Sequence, residues 1–252
     1  MSNATEAPIL ILGAMDVEAD DIIGKMTDVE HRTIGKWSFT SGLFEGRPLV
    51  VCRTEWGVAN AAACTALAME TYHPCAVISQ GTSGAHDPEL LNFDIVVGKK
   101  TVNTSAWKSH FEPQGSVYDP SNIEAIGVFA YDKHAGKFTQ EVYHYASKRL
   151  LAAARKAAPS YTHGHVVEGT IGTCDTWNCQ VDRVLFLHKF FESSVEDMES
   201  DAVAQICQTY DVPFLAIRIV SNSVFEGDQD WDLRVGPACQ EFVLNVVRNI
   251  EL

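Results

Sequence analysis

The sequence predicts a single domain of the α/β class, because segments typical of strands alternate with segments typical of helices along the chain. The chain has 252 residues, of which 46% are hydrophobic, enough to form one large domain with a substantial core. No internal repeat, low-complexity tract or linker divides it. We therefore expect one domain over residues 1–252, with residues 1–8 flexible.

Apolar runs and helical spacing locate the predicted elements. Strands are predicted at Pro8–Ala14, Trp37–Phe44, Arg47–Cys52, Cys75–Ser79, Asp94–Gly98, His165–Thr173 and Val212–Val220. Helices are predicted at Val17–Met26, Ala59–Thr71, Tyr143–Ala157, Val181–Phe191 and Cys239–Ile250. Glu45-Gly46 is typical of a hairpin turn between two of the strands. Several prolines and glycines between residues 103 and 136 predict a long loop there.

Composition restricts the partners and the compartment. The net charge of −14, from 33 acidic and 19 basic residues, argues against binding to nucleic acid or to an anionic membrane. The apolar runs are too short to span a bilayer, and MSNATEAP at the start has no signal-peptide pattern. The seven cysteines lie mostly in apolar stretches, as reduced thiols do. We therefore expect a cytoplasmic protein without a cofactor. A metal site is not expected either, because Cys174 and Cys179 lack a second pair of metal ligands.

Three predicted strands end in small and polar residues, at residues 13–18, 81–85 and 218–222. Ligands of open α/β sheets bind beyond the carboxyl ends of the strands, where small residues allow close approach to the backbone. The glycine-rich segment 81–85 matches neither a dinucleotide-binding motif nor a P-loop, so by itself it predicts only a turn.

An acidic run, SSVEDMESDA, begins at Ser193 and precedes a segment with helical spacing. Carboxylates in a first helical turn accept hydrogen bonds from free N–H groups and complement the helix dipole. On the pattern alone, the run is interpreted as helix capping.

Five segments together resemble the nucleoside phosphorylase and nucleosidase superfamily, and within it most closely the 5'-methylthioadenosine/S-adenosylhomocysteine nucleosidases. In chain order they are ILGAMDVEADDI, GVANAAACTALAM, VISQGTSGAHDPELLNFDIVVG, GTIGTCDTW and VEDMESDAVAQICQTYDVPFLAIRIVSN. The resemblance covers nearly the whole chain but is loose between residues 103 and 139. It implies a nucleoside phosphorylase-like fold with a central mixed sheet flanked by helices, and a purine nucleoside as substrate.

The resemblance also implies roles for charged residues. Glu18 matches the general base that deprotonates the attacking water, although its position is equally that of an acid in a first helical turn. Met198 and Glu199 match the pair that faces the ribose, where negative charge stabilises the cationic sugar of the transition state. Arg218 matches an arginine near the same water, although a strand-end arginine paired with a surface acid has the same pattern. The other acids of the run stay assigned to capping.

The remaining candidates are uncharged. Thr82, Ser83 and Gly84 match residues on the nucleophile and ribose side, although turn capping explains their pattern equally well. Trp177 lies where the family stacks an aromatic ring on the purine, with core packing as the alternative. Ser221, next to Asn222, is also expected to bind the substrate.

Charge favours hydrolysis over phosphorolysis. The hexameric bacterial phosphorylases of the superfamily carry arginines in the first loop and before the glycine-rich turn, as a dianionic nucleophile requires. This chain has Asp16 and Glu18 in the first loop and Ser79-Gln80 before Gly81. We expect a nucleosidase, with a phosphorylase that prefers 6-oxopurines or a weakly catalytic nucleoside-binding protein as alternatives. The resemblance further implies a homodimer, with Trp107, Phe111, Phe129 and Tyr131 as apolar residues that could cover a partner.

Asn222 is the main departure from the family, whose nucleosidases have an aspartic acid there that protonates purine N7. An amide is not a general acid, although it can exchange hydrogen bonds with N7. Three explanations stay open: a 6-oxopurine or other base is preferred, another acid such as Glu226 or Asp228 substitutes, or the residue was altered to trap a ligand.

Overall fold

A computed structural model describes residues 6–132, 134–227 and 231–251, so residues 1–5 of the segment expected to be flexible lie outside it. The described strands are β1 Ile9–Gly13, β2 Thr27–Ile34, β3 Trp37–Phe44, β4 Arg47–Arg53, β5 Ala76–Ala85, β6 Ile95–Asn103, β7 Trp107–Ser109, β8 Ile123–Ala125, β9 Val128–Asp132, β10 Lys137–Glu141, β11 Tyr143–Tyr145, β12 Val166–Thr173, β13 Ser193–Asp197 and β14 Phe214–Ser223. The described α-helices are α1 Asp20–Ile23, α2 Val58–Tyr72, α3 Lys148–Ala157, α4 Val181–Phe191, α5 Ser200–Thr209 and α6 Gly236–Arg248.

The centre of the fold is a mixed sheet, which confirms the predicted class. Within the described ranges the strand order is β11-β6-β12-β13-β5-β1-β4-β3-β2, and β14 pairs with both β5 and β6. β5 runs parallel to β1 and to β14, whereas β13 pairs with β5 in the antiparallel direction. The carboxyl ends of β1, β5 and β14 therefore meet at one edge of the sheet, where the topology of α/β folds places ligands.

Alternating residues of β1 anchor the two sides of the sheet. Ile9 and Ile11 pack in the core on the side of α3 and α6, whereas Leu10 and Leu12 pack on the side of α2 and α5. Burial of each such side chain contributes roughly 1.5–3 kcal/mol. β1 is thereby held at the centre of the molecule, and the loop that follows it starts from a rigid position.

The predicted helix over Val17–Met26 is wrong. A 3₁₀ turn at Asp16–Glu18 and the single helical turn α1 replace it, and β2 then begins at Thr27. The sequence did not indicate β2, because its residues are mostly exposed and lack the apolar alternation of a half-buried strand.

Two further predictions differ from the structure. Tyr143–Tyr145 is not helical but forms β11 at the edge of the sheet, antiparallel to β6, and the helix α3 begins at Lys148. The region predicted as a loop contains two small antiparallel pairs, β7 with β8 and β9 with β10.

Helix capping does not explain most of the acidic run. Its first part is the buried strand β13, and α5 begins only at Ser200. Asp197 does accept a hydrogen bond from the Ser200 amide at 3.2 Å. Asp201, however, is buried and accepts hydrogen bonds from the Thr101 hydroxyl at 2.7 Å and the His144 ring at 2.9 Å. The acidic side chains of this run therefore form hydrogen bonds with residues distant in sequence more than they cap the start of α5.

Candidate active site

A cavity lies at the sheet edge where β1, β5 and β14 end, bordered by β13 and by the loops before α2 and α4. It collects every predicted site residue except Arg218. Its lining consists of Ala14, Met15, Glu18, Trp56, Thr82, Ser83, Gly84, Thr176, Trp177, Glu196, Asp197, Met198, Glu199, Ser221, Asn222 and Trp231.

Glu18 is fixed by three hydrogen bonds on its carboxylate. One oxygen accepts from the Ala14 amide at 2.7 Å, and the other from the Thr82 amide at 2.8 Å and the Thr82 hydroxyl at 3.0 Å. Gly81 makes this approach possible: a Cβ there would lie 2.5 Å from the Glu18 carboxylate, and its φ of +155° disfavours other residues. The 3₁₀ turn after β1 and the glycine-rich half of β5 thus hold a buried carboxylate at the cavity wall.

Glu199 contributes a second carboxylate to the cavity wall and lies between β13 and α5. It accepts a hydrogen bond from the Gly57 amide at 3.0 Å, just before α2 begins. Burial, followed by the nearby Asp197 carboxylate, raises the pKa of Glu199 to about 8, and the charge of Arg218 opposes this rise only in part. The site therefore holds Glu199 poised to titrate near neutral pH.

Arg218 lies behind the cavity wall, in contact with residues that line the cavity. Its side chain is 2% exposed, and it donates to Asp197 at 2.6 Å and to the Ser79 hydroxyl at 3.1 Å. Its guanidinium is also 3.7 Å from the Glu199 carboxylate. Arg218 therefore positions Asp197 and Glu199 and offsets part of their charge.

The end of β14 contributes Ser221 and Asn222. The Ser221 hydroxyl donates to the Ser83 carbonyl at 3.0 Å and lies 3.0 Å from Oδ1 of Asn222. The Ser83 hydroxyl donates to the Ile219 carbonyl at 3.0 Å, so it is committed to the sheet. Within the described ranges, Nδ2 of Asn222 has no hydrogen-bond partner although the residue is only 9% exposed. That amide group is available to a ligand.

Three tryptophans form the aromatic part of the cavity. Trp177 lines the cavity, and its ring lies 5.7 Å from that of Trp231, which in turn lies 5.6 Å from that of Trp56. Trp56 and Trp231 were missed by sequence reasoning. The position of Trp56 directly before the GVANAAACTALAM segment is the signal that could have indicated it.

Glu196 is a third lining residue that sequence reasoning missed. Its carboxylate lines the cavity and accepts hydrogen bonds from the amide and side chain of Asn178 at 2.9 and 2.6 Å. The buried His86 ring lies 3.0 Å from the same carboxylate. Of the acids considered as substitutes for an aspartic acid at position 222, Glu226 is exposed and outside the lining, and Asp228 lies outside the described residues.

The lining is strongly acidic. It contains the carboxylates of Glu18, Glu196, Asp197 and Glu199, and among the described residues no lysine, arginine or histidine contributes to it. Arg53, the last residue of β4, pairs instead with Asp16 and Glu55 outside the lining. Such a cavity attracts developing positive charge and repels anions.

Known proteins similar to this chain include nucleosidases and a hydrolase. The 5'-methylthioadenosine/S-adenosylhomocysteine nucleosidase of Shewanella loihica is 30% identical over 84% of this chain and 85% of its own. The structure of the Neisseria meningitidis enzyme of that name, in complex with methylthio-immucillin-A, has a TM-score of 0.78 and 22% identity, covering 96% of this chain and 99% of its own.

A futalosine hydrolase mutant from Helicobacter pylori strain 26695 has a TM-score of 0.77 and 21% identity, covering 96% of this chain and 99% of its own. At these identities the two structures establish the fold. The sequence model described as Phosphorylase superfamily matches residues 8–250. This chain belongs to the phosphorylase superfamily.

Proposed function

We propose that the protein is a purine nucleoside N-glycosidase that hydrolyses the ribosyl C1'–N9 bond with an activated water. The observation that carries the proposal is the pairing of two fixed carboxylates, Glu18 and Glu199, in a cavity whose described lining has no cationic side chain. The Shewanella relative, a nucleosidase by name, supports the same chemistry.

In the proposed reaction Glu18 is the general base. It accepts a proton from the attacking water, whose oxygen forms a bond to C1' while the C1'–N9 bond breaks and its electron pair leaves with the base. The purine anion then takes up a proton from bulk water, Glu18 returns its proton to bulk water, and the products are a free purine and a free sugar. The three donors to Glu18 hold its carboxylate in place and leave it lone pairs for the water.

Glu199 acts on the sugar. Its carboxylate can accept hydrogen bonds from the 2' and 3' hydroxyls while Met198 packs against the ribose. The ribosyl group becomes cationic as the C1'–N9 bond breaks, so a nearby negative charge stabilises the transition state more than the ground state. Trp177 provides the apolar ring on which we expect the purine to stack.

Phosphorolysis is disfavoured by the same electrostatics. A phosphate dianion would have to enter beside Glu18 and Glu199 without a cationic side chain from the described lining. Arg53 and Arg218 are both engaged by acidic partners. Water, which is neutral, meets no such repulsion.

The experiment is a free-base release assay on 5'-methylthioadenosine, S-adenosylhomocysteine, adenosine and inosine, with and without phosphate. The proposal expects base release without phosphate and free ribose as the other product. Release that requires phosphate and yields ribose 1-phosphate would establish a phosphorylase instead. Tight binding of the nucleosides without release would establish a binding protein.

We propose a cytoplasmic homodimer of a nucleosidase that takes 5'-methylthioadenosine-like substrates. All seven cysteines are free, in keeping with a reducing compartment. No helix among the described residues is long and apolar enough to cross a membrane.

A further inference from the structure

A second cavity lies beside the edge strand β11, between that strand, α5 and the segment that leads into β14. Phe214, the first residue of β14, lines it, whereas Asn222 near the other end of that strand lines the candidate active site. At about 3.3 Å per residue, the strand separates the two by roughly 26 Å. The two linings share no residue. The volume of the second cavity, about 610 Å³, is within the range of small-molecule sites.

His144 brings a buried ring with one unpartnered nitrogen to this cavity. Its side chain is 6% exposed, and Nδ1 lies 2.9 Å from the Asp201 carboxylate. An ionised carboxylate has no hydrogen to donate, so Nδ1 carries the hydrogen of this contact and Nε2 presents a lone pair. Among the described residues Nε2 has no hydrogen-bond partner, and it is not one of the fully enclosed side-chain atoms. The lone pair is therefore available to a donor that enters the cavity.

Asp201 makes the surroundings of His144 negative. Its side chain is 1% exposed, and its carboxylate accepts hydrogen bonds from the Thr101 hydroxyl at 2.7 Å and the Gln205 amide at 2.9 Å. Both donors are neutral, and no lysine or arginine within the described ranges forms an ion pair with Asp201. A buried carboxylate without a cationic partner is costly. The cavity therefore favours a cationic ligand over an anionic one.

Glu141 places a second acceptor at some distance from His144 in the same cavity. Its carboxylate accepts a hydrogen bond from the Gln208 side chain, and both residues line the cavity. From Asp201 to Gln208 the helix α5 rises by about 10 Å, at 1.5 Å per residue. From Glu141 to His144 the chain is nearly extended, which again corresponds to about 10 Å. The two acceptors therefore lie about 10 Å apart along the groove between β11 and α5.

Apolar side chains line the cavity between these acceptors, with Ala204 on α5, Val142 before β11 and Phe214 at the start of β14. In the part of the chain that the structure describes, the lining includes no lysine or arginine. We propose that this cavity is a second binding site, whose ligand is a linear alkyl diamine. One ammonium group donates to Nε2 of His144, the other donates to the Glu141 carboxylate, and the alkyl chain packs on the apolar wall. The site is independent of the proposed function, because it shares no lining residue with the active-site cavity.

Calorimetry of the full chain with 1,5-diaminopentane tests the proposal. Five carbons allow both ammonium groups to reach acceptors about 10 Å apart with a hydrogen bond at each end. The comparison ligands are 1-aminopentane, pentane-1,5-diol and glutarate, measured at about 0.15 M salt so that contacts with the acidic surface are screened. The diamine is expected to bind about tenfold to a hundredfold more tightly than 1-aminopentane, the range of a hydrogen bond to a charged group, and glutarate is expected not to bind. The diamine would fail to bind if His144 itself carried the compensating proton. That result, or equal affinity for the diamine and 1-aminopentane, would overturn the proposal.

Variants locate the bound diamine. Glu141→Gln removes the charge of one acceptor and should reduce the preference for the diamine over 1-aminopentane by about tenfold. His144→Asn keeps an amide donor for Asp201 but has no Nε2, and it should weaken diamine binding by about tenfold or more. Glu89→Gln is the matched control, because it removes an exposed acid outside the cavity, and it should leave the affinity unchanged.

The acidic active-site cavity is the competing location for a diamine. Binding that is lost in Glu199→Gln and unchanged in Glu141→Gln would place the diamine there and overturn the proposal. If the variant at His144 does not fold, Glu141→Gln decides alone, because Glu141 is only half-buried. Base release from nucleosides is a separate assay, so the failure of one proposal leaves the other standing.

Discussion

Glu18 and Glu199 are the same residue type in different surroundings. Glu18 accepts three hydrogen bonds from N–H and O–H donors, whereas Glu199 has a buried carboxylate beside Asp197 and a pKa of about 8. Environments that differ in this way allow two carboxylates of one site to take different roles.

Replacing either carboxylate by its amide is expected to reduce turnover. Glu18→Gln and Glu199→Gln should each lower kcat by roughly a hundredfold or more, the loss that follows removal of a general base or of an electrostatic stabiliser. Glu199→Gln should also raise the nucleoside dissociation constant. Steady-state kinetics on the best substrate measures both, with Asp16→Asn as the control, because Asp16 lies in the same loop but outside the lining. Wild-type turnover in both variants would contradict the site assignment.

The raised pKa of Glu199 predicts a pH dependence. Below about pH 8 the free protein carries Glu199 largely protonated, and above it the carboxylate is ionised and able to stabilise the cationic sugar. We expect kcat/KM to rise with pH through this value. Glu199→Gln should flatten that limb of the profile, because the titrating group is gone. A wild-type profile that is flat between pH 6 and 9 would show that the ionisation of Glu199 does not limit the reaction.

Asn222→Asp is expected to restore a proton donor beside N7. Hydrolysis of adenosine relative to inosine should rise by roughly tenfold to a thousandfold, the reach of a positioned general acid, because adenine is a poor anionic leaving group. The measurement is the ratio of the two turnover rates in wild type and variant, without phosphate. An unchanged ratio, or a wild type that already hydrolyses adenosine rapidly, would show that another group donates the proton.

At the scale of elements, the glycine-rich half of β5 matters because it lets the backbone approach Glu18. Gly81→Ala is expected to push the Glu18 carboxylate from its three donors, since a Cβ would lie 2.5 Å from it. We predict a loss of turnover of roughly a hundredfold, similar to that of Glu18→Gln.

A matched control exists in the hairpin between β3 and β4. Gly46 also has a positive φ, +82°, but a Cβ there would meet nothing within 4 Å. Gly46→Ala should therefore lower stability by about 1–2 kcal/mol without changing kcat. Thermal unfolding and kinetics of both variants distinguish general backbone strain from displacement of Glu18. Equal kcat in Gly81→Ala and the wild type would show that this close approach is not needed.

At the scale of the whole molecule, apolar side chains are exposed on the excursion between β6 and α3. Phe111, Phe129 and Tyr131 are 90%, 59% and 55% exposed, and Phe138 is 70% exposed. Exposed apolar surface of this kind is typical of an interaction site. We predict a homodimer, with a sedimentation coefficient corresponding to twice the mass of the chain at micromolar concentration. A monomer under these conditions would contradict the prediction.

The sequence by itself determined the α/β class, most of the buried strands and helices, and nine of the sixteen residues that line the cavity. Buried strands such as β1 and β14 can be predicted because they are apolar runs in the sequence. The residues at their carboxyl ends can be predicted to lie together, because the ends of parallel strands meet at one edge of a sheet. Exposed β2 and the edge strand β11 carried no such signal, because their residues pack on one side or on neither.

Only the tertiary structure decided what the acids of the site do. Glu196 and Asp197 read as helix caps in sequence, but β13 carries them into contact with His86 and Arg218, residues 110 and 21 positions away along the chain. It likewise placed Arg218 behind the wall and Asn222 beside Glu196 across Gly84. The physical reason is that hydrogen bonding, burial and charge coupling depend on neighbours in space, and those neighbours come from strands distant in sequence.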